Sequence, residues 1–152
     1  MTGDLKSEGL KLSEHLQHAE RVALACSGRL TPLRRHIYKC LLIADAPLGA
    51  YEILGMLDGV GASKPPTVYR SLDWLIGVGL VKKIESISKY IAKTSLDDSN
   101  RMALLLCESC GNAEFFDAAS VLDSLGNFAR EKGFEEHQTV IEILGLCSEH
   151  QR

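Results

Sequence analysis

No stretch of this 152-residue chain approaches the roughly 18 uninterrupted apolar residues that a membrane-spanning helix needs. Nor does it open on a basic segment followed by an apolar run. The first thirty residues instead scatter Asp4, Glu8, Glu14 and Glu20 among leucines, which argues against a signal peptide. The sequence also lacks a motif-spaced nucleophile–base or acid–base pair, so nothing in it calls for an enzyme. His15, His18 and His36 are most simply surface groups. With five cysteines, an odd number, and no export signal, the expected compartment is the reducing cytoplasm, where thiols bind metal or stay free.

What is present is a chain with 45% hydrophobic and 24% charged residues, the balance of a globular protein. The net charge of −3 conceals an asymmetry. Residues 1–94 hold 13 Lys+Arg against 9 Asp+Glu, or +4, whereas residues 95–152 hold 4 against 11, or −7. The division predicts a moderately basic binding module, residues 1–94, joined to an acidic partner module, residues 95–152.

In the first module, Leu12, Leu16, Ala19 and Ala23 recur at helical spacing and predict a helix over 11–26. "LTPLRRHIYKCLL" predicts a second: Thr31 caps, Pro32 suits the first turn, and Leu33, Ile37, Cys40 and Leu41 form the buried stripe. Cys40 on that stripe belongs to the core. Arg34, Arg35 and Lys39 lie off it, available to phosphates or simply to water. "AYEILGMLDGV" predicts a short helix with Tyr51, Leu54 and Leu57 on one side, ended by Gly59 and Gly61. "ASKPPTVYRSLDWLIGVGLV" starts a fourth, with Ser63 as cap candidate and two prolines that fit only a first turn. Val68, Leu72, Leu75 and Ile76 must face a core; that turns Thr67, Arg70 and Asp73 outward and leaves Tyr69 at the boundary. "GLVKKIESISKYIAK" then predicts a β-hairpin around the polar "ESIS". Helices followed by a hairpin suggest a winged helix whose proline-started helix enters a DNA major groove, although such units also serve as protein-docking folds.

The second module predicts strand, strand, helix, strand, with Val121, Leu122, Leu125, Phe128 and Ala129 on the inward face of the helix. So small a unit rarely buries enough apolar surface to stand alone, and it needs a staple, a partner subunit or both. "CESCG" and "CSEH" supply a staple: Cys107, Cys110, Cys147 and His150 fit a Cys3His zinc set. A thiol redox protein using Cys107 and Cys110 is the alternative. It would want its C-x-x-C at a helix start, whereas Gly111 and a short strand follow here. The fold class expected is α+β, an N-terminal winged helix with a small C-terminal dimerisation domain.

The stretches "RLTPLRRHIYKCLL", "SKPPTVYRSLDWLIGVGLVKKIES", "LLLCESCGNAEFF" and "VIEILGLCSEH" resemble the ferric uptake regulator superfamily, and within it the branch that controls zinc uptake. The resemblance implies a cytoplasmic, homodimeric, zinc-responsive repressor that binds double-stranded operator DNA; a relative that senses iron or peroxide is the alternative. It implies base contacts from Tyr69 and Arg70, and structural zinc (Zn2+) on Cys107, Cys110, Cys147 and His150; the placement of Ser63, Lys64, Thr67, Arg34 and Arg35 on the helices adds them to the expected DNA-binding set. Two departures stand out. His150 replaces the Cys usual at the last corner, which keeps a ligand but removes one negative charge. The positions that normally carry regulatory-metal ligands correspond to Lys82, Lys93, Asn100, Met102, Leu104 and Phe115, and residues 82–106 hold no His or Cys. One zinc per chain is therefore expected, with the usual second, regulatory site lost. Sensing then falls to the Cys3His site, or to a makeshift site using His137, Glu114 or Asp117, or is absent.

Overall fold

The computed structural model describes residues 4–57, 59, 64–94 and 101–151. The chain divides into two compact units, residues 1–96 and 97–152. None of the described helices is long and apolar enough to cross a membrane.

The first unit runs α1 (Asp4–Ala25), α2 (Pro32–Ile43), α3 (Ala50–Gly55), α4 (Pro65–Gly77), β1 (Val81–Ile84) and β2 (Lys89–Ala92). Helix α1 begins seven residues before the expected start; Leu5 continues the spacing of Leu12, Leu16 and Ala19, and Gly9 weakens that pattern without ending the helix. Helix α2 starts as its sequence predicts. Thr31 Oγ1 accepts from the Arg34 N–H at 3.4 Å and Pro32 occupies the first turn. The core gathers Leu16 and Ala19 from α1, Ile37, Tyr38 and Leu41 from α2, and Val68, Leu72 and Leu75 from α4. Burying such a Leu, Ile or Val stabilises the unit by about 1.5–3 kcal/mol each. Cys40 is buried, and burial pushes its thiol pKa up.

Three details of this unit correct the periodicity reading. In α3 the buried residues are Ala50 and Ile53, with Leu57 just beyond, whereas Tyr51 is 71% exposed. Helix α3 also ends at Gly55, before the glycines expected to stop it, and Gly61 lies outside the described residues. Tyr38, absent from the expected stripe, is fully buried.

Strands β1 and β2 pair antiparallel, from Val81 opposite Ala92 to Ile84 opposite Lys89. The hairpin is also fastened to the α2–α3 connection. Leu48 and Tyr90 exchange both backbone hydrogen bonds, at 3.0 and 2.8 Å. Glu52 reinforces the junction: its Oε2 accepts from the Gly49 N–H at 2.5 Å and lies 3.1 Å from Lys89 Nζ. Those partners, the Gly49 amide first, hold the Glu52 carboxyl below its ordinary pKa.

The second unit runs β3 (Met102–Cys107), β4 (Ala113–Asp117), α5 (Ala119–Glu131) and β5 (Glu142–Gly145). Its sheet order is β4–β3–β5, with β4 antiparallel and β5 parallel to β3. Helix α5 overturns the expected inward face: Val121, Leu125 and Phe128 are exposed, Phe128 by 59%, and the residue it buries is Gly126. The amphipathic stripe exists, but this unit alone does not cover it.

Candidate metal centre and nucleic-acid face

The parallel pairing of β3 with β5 brings the two cysteine knuckles together. Cys107 stands opposite Gly145, and the Glu108 N–H donates to the Gly145 carbonyl at 2.8 Å, so both chains leave the sheet at the same end. The first knuckle turns back through the Gly111 N–H donating to the Cys107 carbonyl at 2.9 Å. Gly111 adopts φ +74°, where a side chain would strain the backbone. The second knuckle closes through the His150 N–H donating to the Cys147 carbonyl at 2.9 Å.

As a result the donor atoms of Cys107, Cys110, Cys147 and His150 all lie within 4.8 Å of one another. Cys110 Sγ is 3.9 Å from Cys147 Sγ, close to the roughly 3.8 Å edge of a tetrahedron built on zinc–sulfur bonds of about 2.3 Å. His150 Nδ1 lies 3.0 Å from Cys147 Sγ, which turns that nitrogen into the cluster. The residues present therefore fit zinc in donor type, number and spacing. Cys107 is the buried corner, Cys147 and His150 are half-buried, and Cys110 faces solvent. The Cys110 and Cys147 backbone N–H groups lower the Cys107 pKa to about 6, which favours the thiolate that a metal needs. Cys147 is pushed up, first by desolvation and then by the neighbouring Cys107 sulfur.

Among the described residues no other group of three or more His, Cys, Asp or Glu donors converges in this way. His137, Glu114 and Asp117 are exposed. Asp117 Oδ1 instead accepts from the Ala119 N–H at 2.9 Å at the start of α5.

Helix α4 buries Val68, Ser71, Leu72 and Leu75, which leaves Lys64, Thr67 and Arg70 in one row at three-residue intervals on its exposed side. Pro65 and Pro66 open the helix, and Lys64 takes the cap position without a side-chain hydrogen bond. Ser63, the expected cap, lies outside the described residues. Tyr69 is 40% exposed, and Arg70 has no ion-pair partner among the described residues. The other two arginines of the expected set are held within the unit. Arg35 pairs with Glu20 of α1. Arg34, half-buried, lies over the Trp74 ring, 4.0 Å from its centroid. The sequence reading missed Trp74 because a contact between α2 and α4 leaves no periodic signal.

One unit thus gathers metal donors at the end of a small mixed sheet and the other is helical with a hairpin, the two parts expected of a metal-dependent regulator. Residues 26–144 match the ferric uptake regulator family, and the chain belongs to it. It is 34% identical over 137 residues to the zinc uptake regulation protein of Escherichia coli (strain K12), covering 89% of this chain and 80% of that protein. Its fold is similar to that of a zinc uptake regulator complexed with zinc and DNA, with a TM-score of 0.86 and 32% identity over 91% of this chain and 93% of that one. The crystal structure of holo XcZur gives a TM-score of 0.80 and 31% identity, over 88% of this chain and 94% of that one.

Proposed function

We propose that this chain is a zinc-responsive, sequence-specific DNA-binding transcriptional regulator, mainly a repressor of genes for zinc uptake and homeostasis, acting in the cytoplasm as a homodimer. The observation that carries this reading is the convergence of Cys107, Cys110, Cys147 and His150 within 4.8 Å in a chain of this family. Residues 1–94 are the winged-helix DNA-binding domain, with α4 as the recognition helix and the β1–β2 hairpin as the wing. Arg70 is suited to bidentate reading of a guanine and Tyr69 to a thymine methyl or a phosphate. Lys64 and Thr67 lie on the same exposed row.

Residues 95–152 are the dimerisation domain. The uncovered apolar side chains Val121, Leu125 and Phe128 of α5, with Ile143 and Leu144 of β5, support pairing with a second copy. Cys107, Cys110, Cys147 and His150 hold one zinc per chain, and the same site senses it. Bound zinc would cross-link the end of β3 to the end of β5. His150, half-buried near the end of the chain, is the corner most easily given up.

The test is a titration of the protein, with zinc and with chelator, against duplexes enriched by it from a random-sequence pool. The expected result is tight, salt-sensitive binding only with zinc. Binding indifferent to zinc would remove the sensing role, and failure to enrich any duplex would remove the regulator role.

A further inference from the structure

We propose that Arg34 is a positioning residue for α4: it sets the orientation of that helix through Trp74, and does not contact a phosphate. This rests on the regulator reading above. Basic residues in the first turn of α2 suggest backbone contacts in a DNA-binding unit, yet the guanidinium of Arg34 is turned inward. It lies 4.0 Å from the centroid of the Trp74 ring, and Nη1 donates to the Arg29 carbonyl at 2.8 Å. A planar guanidinium over an indole is attracted by the negative face of the ring, and a second, directional bond fixes its orientation.

The other side of the clamp is backbone. A Cβ added at Gly28 would come within 2.9 Å of Trp74 Cζ2, so the turn between α1 and α2 is packed against the six-membered ring with no room for a side chain. Trp74, the chain's single tryptophan, is thus held by Gly28, by Arg34 and, through Arg34, by Arg29. Trp74 follows Arg70 by one helical turn on the same rigid helix. A shift of the indole therefore carries Tyr69 and Arg70 with it. Swinging Arg34 out towards a phosphate would give up both the ring and the Arg29 carbonyl. The neighbouring Arg35 is also committed, to Glu20 on α1.

The two roles differ in what they do to salt dependence. Losing a phosphate contact lowers the slope of log affinity against log salt by about one, whereas misplacing a helix weakens binding without releasing fewer ions. The experiment uses the full-length, zinc-loaded protein and a duplex that the wild type enriches from a random-sequence pool. Arg34→Ala is expected to weaken binding by about three- to tenfold with an unchanged salt slope, and Arg34→Lys, which keeps a cation for the ring, to recover part of the loss. In a Trp74→Leu background, Arg34→Ala should cost little more, because the partner is already gone. Without DNA, Arg34→Ala should make Trp74 fluorescence more readily quenched by acrylamide; this readout and the salt slope stand even if the Trp74 variant folds poorly. A slope lowered by about one with unchanged Trp74 quenching would overturn the proposal and return Arg34 to the phosphates. A wild type that enriches no duplex would remove the regulator reading and this role with it.

Discussion

Cys107 and Gly145 face each other across the parallel β3–β5 ladder, and this pairing makes neighbours of Cys110 and Cys147, 37 positions apart in the chain. Helix α5 lies between those strands in sequence. The candidate metal centre is thus assembled by the fold of the whole unit, whereas a compact zinc finger builds its site locally.

His150 is the site's distinctive corner. His150→Ala should lower zinc affinity by more than the roughly 10–100-fold typical of a lost second-shell partner, whereas His150→Cys should retain zinc against chelator more strongly than the wild type. Competition with a chromophoric chelator measures both, and the spectrum of the cobalt-substituted protein should change from three sulfurs to four in the Cys variant. Native mass spectrometry should find one zinc per chain; two would show that a further site exists.

The metal-free protein should become less stable as pH falls. The Cys107 pKa is lowered to about 6 from an ordinary 9.0, so the folded chain binds fewer protons than the unfolded one between those values. Its stabilisation is complete above the unfolded pKa, declines as pH falls and is gone once the folded pKa has been passed. Cys147, pushed the other way, acts only near and above the ordinary thiol value, so the neutral window belongs to Cys107. Thermal unfolding in chelator from pH 9 to 5 checks this, and Cys107→Ser should flatten the profile.

Tyr38 is fully buried, and its hydroxyl has no hydrogen-bond partner among the described residues; burial pushes its pKa up to about 12. Tyr38→Phe removes an unsatisfied polar atom while keeping the ring. It should be neutral or stabilising by up to about 1 kcal/mol, whereas Tyr38→Ala should cost about 3–5 kcal/mol. Urea unfolding distinguishes these outcomes. A substantial loss in the Phe variant would mean that the hydroxyl has a bonding partner in solution.

Leu125 and Phe128 are exposed on α5 of a single chain. Phe128→Glu should therefore leave the monomer folded, judged by circular dichroism, and shift sedimentation equilibrium from dimer to monomer. A variant that remains dimeric would move the interface elsewhere.

Arg70→Ala should cost about 1–3 kcal/mol of operator affinity and relax discrimination at one base position. Binding to an enriched panel of duplexes measures both effects.

The first turn of α2, the buried side of α4 and the hairpin are legible in the sequence because each is dictated locally, by Thr31 and Pro32, by the spacing of Val68, Leu72 and Leu75, and by a polar turn between apolar strands. The four candidate donors are legible as residue types, since three thiols and an imidazole in paired knuckles have few other uses. Their convergence needs the β3–β5 register. Periodicity fails where burial depends on a neighbour. It marks an apolar stripe on α5 without saying whether the same chain covers it, and it places Tyr51 inward when the adjacent Ala50 and Ile53 take that position. Arg34 shows a further limit: its position in the chain suggests a surface cation, and only the approach of α4 gives it an aromatic face to rest on.

The pair of hydrogen bonds between Leu48 and Tyr90, with Glu52 gripping Lys89 beside it, roots one leg of the hairpin in the helical body. That leaves the four-residue tip, Glu85 to Ser88, as the part of the hairpin beyond the ladder, like the nib of a pen whose shaft is clamped.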